Sequence, residues 1–179
     1  MALTATIYNV DIDLADADRG VYESLALRVA RHPSESQEFL ITRILAYALE
    51  AAPGIAFSPG LSTPDEPAIA VRDMTGVLRA WIEVGTPSAE RLHKASKAAP
   101  RVAVYVHKDV IQHLKSLGSE RIHRADAIEV WGFDRALVSG LVSRMERRMA
   151  FSLSVAEREL YVSIGADTLT GVVTRHRLA

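Results

Sequence analysis

The sequence predicts an α/β (α+β) protein: a mixed sheet flanked by helices, with an N-terminal hairpin and a C-terminal β-meander. Three observations carry this. Apolar residues recur at every second position near both ends of the chain, the period of a half-buried strand. Between those ends the spacing becomes helical after Pro33 and again after Pro87. The stretch 101–107 is apolar on both faces, which suits a parallel strand covered on two sides.

The elements follow in order. Thr6, Tyr8, Val10, Ile12 and Leu14 alternate with polar Asn9, Asp11 and Asp13, a strand. An Asp-rich turn over 15–20 ends in Gly20, and Leu25, Leu27 and Val29 mark a second strand that pairs back as a long hairpin. Ser34 with Gln37 three residues on reads as a capping box opening a helix, which Pro53-Gly54 stops. Residues 59–67 form a loop. Ile69–Asp73 is a short strand, Met74-Thr75-Gly76 a turn, and Val77–Gly85 the next strand. Pro87-Ser88 starts a helix that ends near Ala99, because Pro100 disfavours helix at the residue before it. With the strand at 101–107, this makes a βαβ unit. Asp109–Leu117 is a helix ended by Gly118, Ala127–Val130 a strand, and Asp134 caps a helix through Met145. From Ala150 to Leu178 the alternation returns, with a turn at Gly165–Thr168.

Composition limits the function. A chain of 179 residues, 49% of them hydrophobic, is enough for one compact domain spanning 1–179. No run of about 18 apolar residues exists, so no transmembrane helix is expected. The first 18 residues carry four aspartates and lack the basic start and apolar run of a signal peptide; a cytoplasmic protein is the expectation. The absence of cysteine excludes disulfides, thiol catalysis and Cys-ligated zinc. A net charge of −1 argues against nucleic-acid binding by bulk electrostatics. Its distribution is uneven: residues 1–90 hold 6 basic and 13 acidic side chains, whereas 91–179 hold 15 and 9. An acidic half for metal and a basic half for phosphate is one reading, and ordinary solvated faces are the other.

Carboxylates supply the candidate chemistry. With the turn at 74–76 as hairpin centre, residues pair when their numbers sum to 150 or 151. Glu83 then falls opposite Pro67 or Ala68, within reach of Asp65 and Glu66. Glu83 sits between apolar Ile82 and Val84, and an uncompensated buried carboxylate costs several kcal/mol. A metal, a lysine or a substrate-bound water would compensate it. Mg²⁺ takes one or two carboxylates plus waters and phosphate oxygens, and it activates water and stabilises a leaving oxygen. The competing reading is an ion pair with a nearby Lys or Arg. Lys94 and Lys97 share a helix face with Arg91, with Arg101 close by; a solvated face is the commoner reading of such a set, and phosphate contact or water activation the functional one. The basic residues Arg144, Arg147 and Arg148 suit a surface helix end or a phosphate contact. The six histidines show no metal-ligand spacing, and no phosphate-cradling glycine motif occurs.

Several stretches are similar to one family: 1–8 (Met-Ala-Leu-Thr-Ala-Thr-Ile-Tyr), 30–38 (Ala-Arg-His-Pro-Ser-Glu-Ser-Gln-Glu), Asp65-Glu66-Pro67, Trp81-Ile82-Glu83-Val84-Gly85 with Pro87, and Arg91 to Lys94-Ala95. On these the chain resembles the YaeQ family of bacterial proteins. That family looks like a variant of the PD-(D/E)XK, restriction-endonuclease-like fold. The resemblance implies a Mg²⁺- or Mn²⁺-dependent nuclease acting on nucleic acid. Its metal ligands would be Asp65, Glu66 and Glu83, its helix acid Glu38, and Lys94 or Lys97 would orient the water. Gly85 occupies the place of the superfamily lysine, a departure. The alternative is a non-catalytic binding or regulatory protein, for example transcription-related, with a protein partner. The retained acids favour the enzyme; Gly85 and the balanced charge favour the binder.

Overall fold

The computed structural model describes residues 4–58 and 65–178. In chain order the strands and helices are β1 (Thr6–Asp16), β2 (Val21–Arg31), α1 (Gln37–Leu49), β3 (Ile55–Phe57), β4 (Ile69–Arg72) and β5 (Leu78–Val84). Then come α2 (Ala89–Ala98), β6 (Arg101–Val106), α3 (Val110–Leu117), β7 (Glu129–Phe133), α4 (Arg135–Val142), β8 (Arg148–Ala156), β9 (Glu159–Ile164) and β10 (Asp167–Arg177). This is a mixed α+β architecture of ten strands and four α-helices among the described residues. The chain forms two compact units, Met1–Leu49 with Phe133–Val173, and Glu50–Gly132 with Thr174–Ala179.

The first unit carries the strand order β2-β1-β8-β9-β10. The expected N-terminal hairpin is present: β1 and β2 pair antiparallel from Thr6↔Arg31 to Asp16↔Val21. On its other side β1 runs parallel to β8, from Asn9↔Arg148 to Asp16↔Val155. No local signal announced this pairing. The alternation seen in the sequence becomes burial alternation, with Val10, Ile12, Leu14, Phe151, Leu153 and Val155 inside. Each such apolar side chain contributes about 1.5–3 kcal/mol on burial. Helix α1 starts two residues later than the Ser34 capping box required. Ser36 Oγ accepts the Phe39 N–H at 3.0 Å, whereas Ser34 Oγ bonds the His32 ring at 2.6 Å. His32-Pro33 holds Ser34 in a local turn, so the hydroxyl next along the chain takes the cap.

Helix α4 is shorter than expected and ends at Val142. Asp134 does not cap it through its side chain. Its Oδ2 accepts the Val172 N–H at 2.9 Å, and its own N–H donates to the Val172 carbonyl at 3.2 Å. Pairing with a strand has outcompeted the cap.

The second unit carries the order β7-β6-β5-β4-β3. The expected βαβ unit is there: β5 and β6 are parallel neighbours joined by α2, and β6 is parallel to β7. Trp81, Leu92, Ala95, Val102, Val104 and Val130 are buried in one cluster, which fixes the helix-facing side of the sheet. The strand expected at 127–130 begins at Glu129, after a 3-10 turn over Ala125–Ala127. The three-residue β3 was not foreseen; it is too short for a period to register. Residues 59–64 of the expected loop lie outside the described residues.

Candidate functional site

The hairpin register is the one that the turn at 74–76 implied. Ile69↔Ile82, Ala70↔Trp81 and Val71↔Ala80 pair, and a bulge shifts the last pair to Arg72↔Leu78. Glu66 lies three residues before β4. Asp73 shapes the turn. Its Oδ1 accepts the Thr75 and Val77 N–H groups at 2.9 and 3.0 Å, and its Oδ2 accepts Arg79 Nε at 2.9 Å. The Thr75 hydroxyl, first, and then the Val77 amide hold its carboxyl down to about 2.

Residues 81 and 83 share the helix-facing side of β5, so Glu83 points under α2. It is 4% exposed. Both oxygens are committed: Oε2 accepts Arg91 Nε at 2.7 Å, and Oε1 accepts Arg91 Nη2 at 2.8 Å and Trp81 Nε1 at 2.7 Å. The pair is a bidentate fork, the strongest geometry available to a carboxylate and a guanidinium. Arg91 Nη2 also donates to the Glu66 carbonyl at 2.7 Å, and its guanidinium lies 5.7 Å from the Trp81 ring centroid. One cation thus ties α2, β5 and the entry to β4.

Helix α2 can deliver Arg91 because Ser88 Oγ accepts the Arg91 N–H at 3.2 Å and starts the helix there. Leu92, Ala95 and Ala99 are buried, and Arg91, four residues before Ala95, flanks that stripe. This spacing was the available signal that Arg91 points inward. Sequence reasoning named the residue but grouped it with solvent-facing lysines.

The remaining candidates separate. The Glu66 side chain is half-buried and its Oε2 accepts Ser58 Oγ at 3.1 Å. Asp65 is exposed and pairs with exposed Lys94. The hydrogen bond from that lysine lowers the Asp65 carboxyl below its usual value. Lys97 is exposed in the last turn of α2. Glu38 is exposed in the first turn of α1 and belongs to the first unit, whereas Asp65, Glu66, Glu83, Lys94 and Lys97 belong to the second. Among the described residues no three His, Cys, Asp or Glu side chains form a group suited to a metal ion.

Arg101, expected beside the lysines, is instead held by two other acids. It forks onto Glu50 at 2.6 and 3.0 Å and onto Glu129 at 2.6 and 3.2 Å. Burial pulls its guanidinium down, but the hydrogen bonds to Glu50 and Glu129 outweigh this and hold it above its ordinary value. The Tyr105 hydroxyl donates to Glu50 Oε1 at 2.5 Å. Burial, then the Glu50 charge, pushes that phenol well above its usual range. Side chains alternate across a strand, so Arg101 and Tyr105 lie opposite the face that holds Val102 and Val104.

The charge asymmetry of the two sequence halves largely dissolves on folding. The first unit holds 9 basic and 12 acidic residues and the second 12 and 10. Strands from both ends of the chain share the first unit, so neither unit forms a basic body.

The sequence model described as YaeQ protein matches residues 1–172. Proteins similar to this chain include the uncharacterized protein YaeQ of Salmonella typhi, 31% identical over 170 residues and covering 94% of each chain. The protein of the same name in Escherichia coli (strain K12) is 30% identical over 171 residues, again with 94% of each chain covered. The crystal structure of YaeQ protein from Xanthomonas axonopodis pv. citri superposes with a TM-score of 0.87 at 30% identity, covering 97% of this chain and 99% of that one. The YaeQ structure from Pseudomonas syringae gives 0.84 at 27% identity, covering 96% and 95%.

Proposed function

The chain belongs to the YaeQ family, and on that premise we propose that it is a non-hydrolytic binding protein, with a protein rather than a nucleic acid as partner. One observation carries this reading. The Arg91 guanidinium contacts three oxygens, both of Glu83 and the carbonyl of Glu66, where the nuclease reading calls for a divalent ion. A resident cation neutralises the buried carboxylate and repels a second one. As arranged, this donor set does not fit Mg²⁺ or Mn²⁺. Gly85 in place of the superfamily lysine supports the same reading, because misplacement by about 1 Å is enough to cost a rate of order a hundredfold.

The protein partner is favoured over nucleic acid by charge. Phosphate binding is driven by excess Lys and Arg and by the counterions they release. Net charges of −3 and +2 for the two units give little of either. Carboxylates are retained, on this reading, because Glu83 is the anchor of α2 and not a remnant.

The test combines calorimetric Mn²⁺ titration with cleavage assays on single- and double-stranded DNA and RNA. The expected result is no heat of binding and no cleavage for the native chain, with a specific protein recovered by affinity capture. Mg²⁺-dependent cleavage that Glu83→Gln abolishes would overturn the proposal and restore the PD-(D/E)XK nuclease reading, with Arg91 swinging aside to admit the metal.

A further inference from the structure

β2 ends the strand order of the first unit, and its outer edge has no strand beside it among the described residues. Which of its backbone groups point there follows from β1. The Asn9 N–H donates to the Arg147 carbonyl and the Ala17 N–H to the Val155 carbonyl, so odd-numbered residues of β1 face β8. Backbone groups alternate sides along a strand, so the even-numbered ones face β2. They pair with odd-numbered residues of β2, from Thr6↔Arg31 to Asp16↔Val21, without a shift of register. The N–H and C=O groups of Tyr22, Ser24, Ala26, Arg28 and Ala30 therefore point outward, away from β1.

Edges of this kind are ordinarily blunted by proline, lysine or a bulge. β2 has none of these over its eleven residues. Its last outward carbonyl is covered: Ala30 O accepts Arg43 Nη2 at 2.6 Å, and that nitrogen also lies 3.3 Å from Glu35. The open run is thus Tyr22 to Arg28, and Leu25 is its centre.

That run is complementary to itself. A second copy laid antiparallel, with a two-fold axis at Leu25, opposes Tyr22 to Arg28 and Ser24 to Ala26. All four present outward groups, and each such pair exchanges two hydrogen bonds, about eight in all. The side chains agree with this register. Tyr22 is 67% exposed, and Arg28 of the other chain is set against its ring, a cation–π contact. On the opposite face Leu25 meets its own copy and Val21 meets Val29. No like charges stand opposite one another, an arrangement that would destabilise the pairing. Moving the axis to Ala26 or Leu27 enlists Ala30, whose carbonyl is taken. We propose that this chain forms a two-fold dimer through β2, with a second copy of itself as the partner and the two sheets joined edge to edge. The inference goes beyond the binding role proposed above and stands on different residues, so either can fail without the other.

The experiment measures the mass of the full chain by analytical ultracentrifugation over a concentration series. The native chain is expected to reach twice the mass of one copy. Ala26→Pro removes an N–H that β1 does not use, and edge strands tolerate such a proline; its circular dichroism is expected to be native and its mass that of one copy. Tyr22→Lys alters an exposed side chain and sets like charges opposite each other at two places. It is expected to weaken association by about tenfold or more, and adding Arg28→Glu is expected to restore it. The chain has no cysteine, so an introduced one reports its own neighbour. Leu25→Cys places two Cα atoms about 4.5 Å apart across the axis, within reach of a disulfide, and mild oxidation is expected to yield a covalent dimer. Glu23→Cys, exposed and with its copies roughly 13 Å apart along the strands, is expected to stay uncrosslinked. A native chain that remains a monomer up to about 1 mM overturns the proposal. So does a dimer that Ala26→Pro leaves intact, or one that Glu23→Cys cross-links and Leu25→Cys does not.

Discussion

Arg91 closes a bidentate fork onto Glu83, at 2.7 and 2.8 Å, underneath α2. The same guanidinium reaches the Glu66 carbonyl, so the contact joins three segments rather than two. Its stability contribution is lopsided: the intact pair gains little over apolar packing, but half of it is costly, because a lone buried charge remains.

Replacing Arg91 by Met is accordingly expected to lower stability by about 3–5 kcal/mol, read by urea denaturation. Changing Glu83 to Leu at the same time is expected to recover most of that loss. The Trp81 indole donates to Glu83, so its fluorescence is expected to shift in both variants. A single Arg91→Met variant as stable as the native chain would refute the anchoring role.

The exposed pair of Asp65 and Lys94 contrasts with the buried one. Lys94→Ala is expected to leave the melting temperature unchanged at physiological salt, because solvent and ions screen such contacts. A clear drop would mean that Lys94 bears load in the loop before β4.

Asp73 provides a pH signature. Its carboxyl is lowered to about 2, so its contribution is present above the ordinary carboxylate range and is lost as pH falls through about 2. The ¹³C signal of this carboxyl is expected to titrate near 2, with faster exchange of the Thr75 and Val77 amides below it. A midpoint in the ordinary range would contradict the turn geometry.

Tyr105 acts at the other end of the scale. Its raised pKa means that the favourable neutral phenol is fully present below about 10, its ordinary value, and is lost as pH rises through the raised one. Urea midpoints of the native chain are expected to fall from pH 9 to 11, and to fall less in Tyr105→Phe. At pH 7 that variant is expected to lose about 1.5–3 kcal/mol, one hydrogen bond to a carboxylate.

Gly54 has φ +85, and a Cβ there would lie 1.9 Å from the Arg72 carbonyl oxygen. Gly54→Ala is expected to destabilise by about 1–3 kcal/mol and to disturb the Gly54 carbonyl bond to the Arg72 N–H. Amide exchange at Arg72 is the direct readout.

Much of this was legible in the sequence where the information is local. The β4–β5 register followed from a turn at 74–76, and the apolar run at 102–106 gave a parallel strand. Ser88 and Asp109 were found as helix starts, because a hydroxyl or carboxylate ahead of a helical period has few other uses. Ser34 and Asp134 failed for the complementary reason. Each had a nearer partner, the His32 ring in one case and the Val172 backbone in the other. The β1–β8 pairing was invisible because alternation reports a face and not a neighbour. At the site, the anomaly of Glu83 was plain, and an ion pair stood among its readings. The choice of Arg91 was available in its place beside the buried Leu92, Ala95 and Ala99, but grouping it with Lys94 and Lys97 turned it toward solvent.

The β1–β8 pairing has a consequence for biosynthesis. Asn9 lies beside Arg148, so β1 leaves the ribosome long before its second neighbour, β8, exists. Until then the nascent hairpin offers an open edge of eleven residues, while the segment from Glu50 to Gly132 is already free to collapse. Long-range closure of this kind is slow. Translation itself therefore sets the order of assembly, and the interval before the C-terminal third emerges is when this polypeptide is most exposed to aggregation and to capture by chaperones.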